Sequence, residues 1–236
     1  MATVTEARYT YGDTFTGFKK VLHDSIMLNE LRNGRGAYQL SWAKTDLSGL
    51  SYGPQQFDLA SSNPDAQPVL RRILESATYD TGPNAGQRIV DDKLTEQLFG
   101  AGSPLLMKGT DTFLTAPEWR QARDLVTAAI NSSYGRNTVD SAYDVYLDRR
   151  ITDVTNKIEN NITNPDSKAF LQNSVLAQVL IGNLMVQFSP TTVDAYFRFL
   201  NGEDVQIDKW LGTGANPGGT LTTKGTQNLS GADRAA

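Results

Sequence analysis

The sequence contains no cysteine and a single histidine, His23. The first absence excludes a disulfide scaffold, a thiolate nucleophile and any thiolate-ligated metal. Together the two remove the usual zinc sites, which draw on both residue types. Basic residues do not outnumber acidic ones: the net charge is −4 and the pI about 5.1. That balance argues against a nucleic-acid partner held by phosphate neutralisation. Long hydrophobic runs are missing too. The most apolar stretch, Ser174 to Phe188, is shorter than a bilayer span and is broken by Gln178, Asn183 and Gln187, so no membrane span is expected. The opening Met-Ala-Thr-Val-Thr-Glu-Ala-Arg lacks the basic patch and apolar run of a secretory signal. Cofactor motifs are incomplete: Gly212-Thr-Gly214 starts a dinucleotide fingerprint without its third glycine, and no Gly-Lys-Ser/Thr phosphate loop occurs. No cofactor and no metal are therefore expected. Carboxylate chemistry stays open.

What is present suits a globular protein. Of 236 residues, 39% are hydrophobic and 20% charged, enough for a packed core. Phe15, Phe18, Leu22 and Ile26 recur at helical spacing and predict a helix from about Thr14 to Glu30. Tyr38, Leu40 and Trp42 then alternate with Gln39 and Ser41, the two-residue period of a strand. Asp46 to Gly49 supplies turn residues, and Leu50-Ser51-Tyr52 returns as a second strand.

Everything downstream reads as helical. Asn63-Pro64 is expected to cap one helix, and Thr115 to Glu118 to form the capping box of another. Thr138 is expected to cap a third, and Ser167 to Gln187 to be the central buried helix. Thr192 to Leu200 makes a last short helix ended by Asn201-Gly202. From Leu211 the composition turns to Gly, Thr and Asn. The expectation is a body over 1–210 and a flexible tail over 211–236.

Gly49-Leu-Ser51-Tyr-Gly53 matches the nucleophile-elbow pattern, but such a serine needs a histidine later in the chain, and His23 precedes it. The match is a coincidence of turn glycines. His23 itself reads as a partly buried, hydrogen-bonded side chain. The surviving constellation is a pair of carboxylates, Glu30 at the end of the first helix and Asp46 in the hairpin turn. Cleaving a glycosidic bond needs one carboxylic acid to protonate the leaving oxygen and a second, ionised carboxylate to activate water. A glutamate at a helix C-terminus against a packed core is pushed toward its protonated form, while an aspartate in a wet turn stays charged.

The order of these features resembles the lysozyme superfamily. The segments Asn29-Glu30-Leu-Arg32-Asn-Gly34 and Asp46-Leu-Ser-Gly49-Leu-Ser51-Tyr52-Gly53-Pro-Gln55-Gln56 look most like its chitosanase-related branch. That branch carries a Glu followed by an Asp-x-x-Gly-x-Ser-Tyr-Gly-x-x-Gln type segment. Phage-type lysozymes carry a comparable Glu, Asp, hydroxyl series. The match covers about Asn29 to Gln56, and Leu31-Arg32 stands where the family usually has a glycine.

The resemblance implies a mainly α (α+β) lysozyme-like fold, with a helix and small β-hairpin lobe ahead of a helical lobe around a central helix. It implies an inverting hydrolase of a β-1,4-linked amino-sugar polymer. Glu30 would be general acid, Asp46 general base and Ser51 a holder of the attacking water. Tyr52, Gln55 and Gln56 would line the cleft. Trp42 is a candidate for stacking on sugar; Trp119 reads as core. Arg71-Arg72 and Arg149-Arg150 read as solvated helix faces.

The partner is a peptidoglycan or chitosan-type glycan, and a lack of clustered acids favours peptidoglycan over the polycation. Such a cell-wall-lytic enzyme, of phage or bacterial-toxin type, would be made in the cytoplasm and act on the wall after release or delivery. It would then have a delivery or immunity partner. The alternatives are a chitosanase proper and a non-catalytic structural or delivery-apparatus protein that keeps a lysozyme-like fold.

Overall fold

The computed structural model describes residues 9–31, 36–42, 48–60, 65–187, 190–209 and 217–221. The architecture is mainly helical with a small antiparallel sheet near the N-terminus, as expected at that level. A short 3-10 turn at Tyr11–Thr14 leads into α1 (Gly17–Glu30), which ends on the glutamate singled out above. The sheet follows: β1 (Ser41–Trp42), β2 (Leu50–Tyr52) and β3 (Phe57–Asp58), in the order β1-β2-β3. The expected hairpin is thus a three-stranded meander. β3 is only two residues long, too short to show a two-residue period.

The helices that follow are α2 (Ala66–Ser76), α3 (Asp92–Phe99), α4 (Thr112–Thr115), α5 (Arg120–Asn131) and α6 (Ser133–Asn161). After them come α7 (Pro165–Asn173), α8 (Val175–Gln187) and α9 (Pro190–Leu200). Two strands close the order, β4 (Val205–Lys209) paired antiparallel with β5 (Pro217–Leu221).

Several boundaries differ from expectation for local reasons. The 167–187 stretch is two helices, not one. Ser174 breaks it, its Oγ accepting from the Ala177 amide at 3.2 Å, and the Gln178 side chain donates to the Leu171 and Gln172 carbonyls at 2.9 Å each. A serine hydroxyl and a glutamine amide therefore cap the ends that face each other. Nor is α8 buried all round, since Val175, Leu176 and Leu180 are exposed.

Thr138 lies inside α6 and donates to the Tyr134 carbonyl. The helix starts earlier, where Asp80 accepts from the Ser133 amide at 2.8 Å and Ser132 Oγ from that of Gly135 at 3.0 Å. The α5–α6 junction is so tight that a Cβ on Gly135 would stand 2.0 Å from the Ala129 carbonyl oxygen. Thr115 ends α4 instead of opening α5, which is entered through a 3-10 turn at Pro117–Trp119. The segment expected as a tail contains β5, held by a backbone ladder that needs no large apolar side chain. Asn63 and Pro64 lie outside the described residues.

The chain divides into two compact units, Met1–Asp13 with Ile26–Tyr146, and Thr14–Ser25 with Leu147–Ala236. In the first, α2 buries Val69, Leu70, Ile73 and Leu74 at helical spacing, against Leu98, Val126, Ile130 and the sheet residues Leu50, Tyr52 and Phe57. Each fully buried side chain of this size contributes about 1.5–3 kcal/mol. Gly49 enters β2 against Ala60 so closely that a Cβ there would meet the Ala60 Cβ at 2.4 Å.

In the second unit, Val154, Ile158 and Ile162 form one face of α6 and pack with Leu171, Ile181, Val193 and Phe197. The buried Ser167 hydroxyl donates to the Leu200 carbonyl at 2.8 Å. His23 is buried in this unit, edge-on to Phe15 with ring centroids 5.5 Å apart, in keeping with the structural role expected of it.

Candidate active site

The sheet sorts its residues onto two faces by register. Trp42 pairs with Leu50, and Tyr52 with Phe57, so these four side chains share the face that packs into the core. Ser41 pairs with Ser51, and Ser51 with Asp58, which places a row of polar groups on the other face. Asp58 is used structurally there: one carboxylate oxygen accepts from the Gly49 amide at 3.0 Å and the Ala60 amide at 2.9 Å.

A pocket of about 250 Å³ opens beside the first strand, lined by Glu30, Leu31, Gly36, Gln39, Leu40, Ser41 and Gln56. The end of α1 supplies Glu30 and Leu31, a turn supplies Gly36 to Leu40, β1 supplies Ser41, and the β2–β3 turn supplies Gln56. The first turn closes with the Gln39 amide donating to the Gly36 carbonyl at 3.1 Å, and Gly36 takes φ +89°, a conformation suited to glycine. Gln56 holds φ +52°, rare for a residue with a side chain. Its amide oxygen accepts from the Ser41 hydroxyl at 2.6 Å and its amide nitrogen donates to the Gly53 carbonyl at 3.1 Å. The side chain is thereby fixed against the pocket.

Glu30 is half-buried, and burial lifts its carboxyl above the ordinary carboxylate value. Among the described residues none donates a hydrogen bond to it. A carboxyl in this setting can hold a proton into a range where an exposed glutamate has lost it, which is what a proton donor requires.

The other expected site residues scatter. Gln56 joins Glu30 in the pocket. Tyr52 does not line it: the side chain has no exposed surface and its hydroxyl donates to the Ala66 carbonyl at 2.7 Å. Trp42 packs against the core, with its indole nitrogen buried. Ser51 is buried at 7% exposure, outside the pocket lining. Both amide atoms of Gln55 are buried, with no hydrogen-bond partner among the described residues. The residue period assigned Trp42, Ser51 and Tyr52 to the small sheet but could not tell its core face from its open face, while Gln55 lies in the turn between β2 and β3. Asp46 lies outside the described residues.

Gln39 and Ser41 were not expected as site residues: the strand expected from Tyr38 to Trp42 is a turn as far as Leu40, with β1 confined to Ser41–Trp42, so Gln39 and Leu40 both reach the pocket. Trp119 is partly buried against the core, its ring 5.7 Å from Phe113, as expected of it. Arg71 pairs with Glu75 and Glu96 and stacks on Phe99, consistent with a helix-surface role. Arg72 on α2 lines a second pocket, of about 350 Å³, with Asp65 just ahead of that helix and with Tyr134 and Ser141 on α6.

No protein-family model, no curated protein and no solved structure matches this chain. Function has to be argued from the site.

Proposed function

We propose that the protein is a glycoside hydrolase of the cell-wall glycan, with Glu30 as general acid. The observation that carries this reading is the Glu30 carboxyl itself, raised by burial at the end of α1 in a pocket otherwise lined by amide, hydroxyl and aliphatic groups. Sugars are recognised by such neutral hydrogen-bonding groups, and Gln39, Ser41 and Gln56 supply them. The resemblance of residues 29–56 to the lysozyme superfamily supports the same reading and supplies its second half.

In that scheme Glu30 gives its proton to the glycosidic oxygen as the bond to the anomeric carbon breaks. Asp46 takes a proton from the water that attacks the opposite face, inverting the centre. Glu30 ends ionised, Asp46 protonated, and one proton returned from Asp46 to Glu30 through solvent resets the pair.

The test is hydrolysis by the full chain and by Glu30→Gln, on purified peptidoglycan and in parallel on chitosan. The reading expects glycan cleavage by the unsubstituted chain and its loss in the variant, with the circular-dichroism spectrum unchanged. Release of reducing ends from chitosan alone would move the substrate to that polymer. Full activity in Glu30→Gln, or none in the unsubstituted chain on either polymer, removes the reading.

A further inference from the structure

The turn that walls the Glu30 pocket is tied down from behind. Gly36, Gln39 and Leu40 face the pocket, while between Gly36 and Gln39 Ala37 is buried and Tyr38 packs toward the core. Its hydroxyl donates to Asp140 Oδ1 on α6 at 2.8 Å. Its carbonyl accepts from Asn131 Nδ2 at the end of α5 at 2.9 Å, and the Arg136 guanidinium lies 5.1 Å from its ring centre. Arg136 in turn donates to the backbone and side-chain oxygens of Asn131. Just ahead, the Ala37 carbonyl accepts from the Gly53 amide at 3.0 Å.

Asp140 serves a second phenol as well. Tyr9, buried in the segment before α1, donates to the same carboxylate oxygen at 2.9 Å and meets Tyr38 edge-on with ring centroids 5.6 Å apart. Tyr143 completes the cluster, 6.1 Å from Tyr9. Among the described residues, the titratable groups facing Asp140 are Tyr9 from the N-terminal segment, Tyr38 from the turn, and Arg136 one helical turn earlier on α6.

We infer that Asp140 is a positioning residue for the Glu30 pocket: by accepting from Tyr38 it sets the turn at Gly36 to Leu40, and this turn keeps water from the Glu30 carboxyl. The catalytic consequence rests on the hydrolase reading, but the geometry does not. A carboxylate oxygen shared by two phenols, one buried and one half-buried, fixes both donors in angle as well as distance, more tightly than ring packing alone. Removing the Tyr38 hydroxyl frees the turn while leaving the ring on the core. Water then reaches Glu30, and its carboxyl relaxes toward the ordinary value.

The experiment follows the Glu30 side-chain carboxyl by carbon-detected NMR titration in the full chain, in Tyr38→Phe, Asp140→Leu and Asp140→Asn. Cleavage rates against pH are measured on the same samples. The midpoint of Glu30 is expected to fall in Tyr38→Phe and Asp140→Leu, and to stay in Asp140→Asn, whose amide oxygen can still accept. The alkaline limb of the rate profile should move down with it, with turnover lowered roughly tenfold by lost positioning.

A folded Tyr38→Phe chain whose Glu30 titrates as in the unsubstituted protein overturns the inference. So does an Asp140→Asn chain that behaves like Tyr38→Phe. Glu30→Gln is run beside them: retained cleavage there ends the hydrolase reading, while the titration still decides the role of Asp140.

Discussion

Glu30 and Asp140 are two half-buried carboxyls in one compact unit, and the fold treats them oppositely. Burial raises both above the ordinary range. At Asp140 the phenols of Tyr38 and Tyr9 and the charge of Arg136 push back down, so much of the desolvation cost is offset by charge-assisted hydrogen bonds. At Glu30 burial acts alone, with no donor among the described residues. One carboxyl is spent on holding structure. The other is left poised beside an open pocket, which is the arrangement expected of a group that handles a proton.

Four measurements would break or sharpen that contrast. The largest effect is expected for Glu30→Gln, which should lower glycan cleavage by roughly a hundredfold to ten-thousandfold, the usual contribution of a general acid. Its unfolding midpoint at neutral pH should rise, because a carboxylate with no donor among the described residues is removed from a half-buried site. A midpoint that falls in thermal denaturation would mean that Glu30, like Asp140, is structural.

Next comes Asp140→Leu, which strands two phenol hydroxyls. A loss of about 3 kcal/mol in urea-monitored stability is expected. A loss below about 0.5 kcal/mol, the scale of ordinary surface substitutions, would show that the cluster holds little.

The third is the pH profile of stability. Glu30 holds its proton in the fold to a higher pH than in the unfolded chain. Its contribution is therefore complete at low pH and fades as pH rises from the ordinary 4.5 through the folded value. Glu30→Gln should flatten that decline. A second decline should begin near pH 10, the ordinary tyrosine value, because Tyr9, Tyr38 and Tyr52 all hold their protons more tightly in the fold. Unfolding midpoints that stay level between pH 9 and 11 would contradict the burial of these hydroxyls. The smallest effect is expected for Tyr52→Phe, which loses one hydrogen bond to the Ala66 carbonyl and about 1 kcal/mol. Its cleavage rate should match that of the unsubstituted chain, and a large drop would return Tyr52 to the site.

Legibility followed sequence distance. The end of α1 at Glu30, the two strands around Trp42 and Ser51, and the stop at Asn201-Gly202 could all be read from the chain, because apolar period and turn residues act within a few positions. The division at Ser174 was less visible: its hydroxyl cap is local, but the Gln178 contacts that finish α7 depend on the angle between two helices. Which face of the small sheet carries Tyr52 and which carries Ser41 was not readable at all. Both faces begin from alternating residues, and only the pairing with Leu50, Phe57 and α2 decided the inside.

By itself, then, the sequence determined a cysteine-free, mainly helical chain with a short sheet and a glutamate where its first long helix stops, since composition, caps and periodicity are local properties. Tertiary structure alone decided that Gln56 and Ser41 join that glutamate while Tyr52 does not. It also brought Tyr9 and Tyr38 to Asp140 across 131 and 102 residues. No local pattern encodes contacts of that span, because they exist only after the intervening helices have packed.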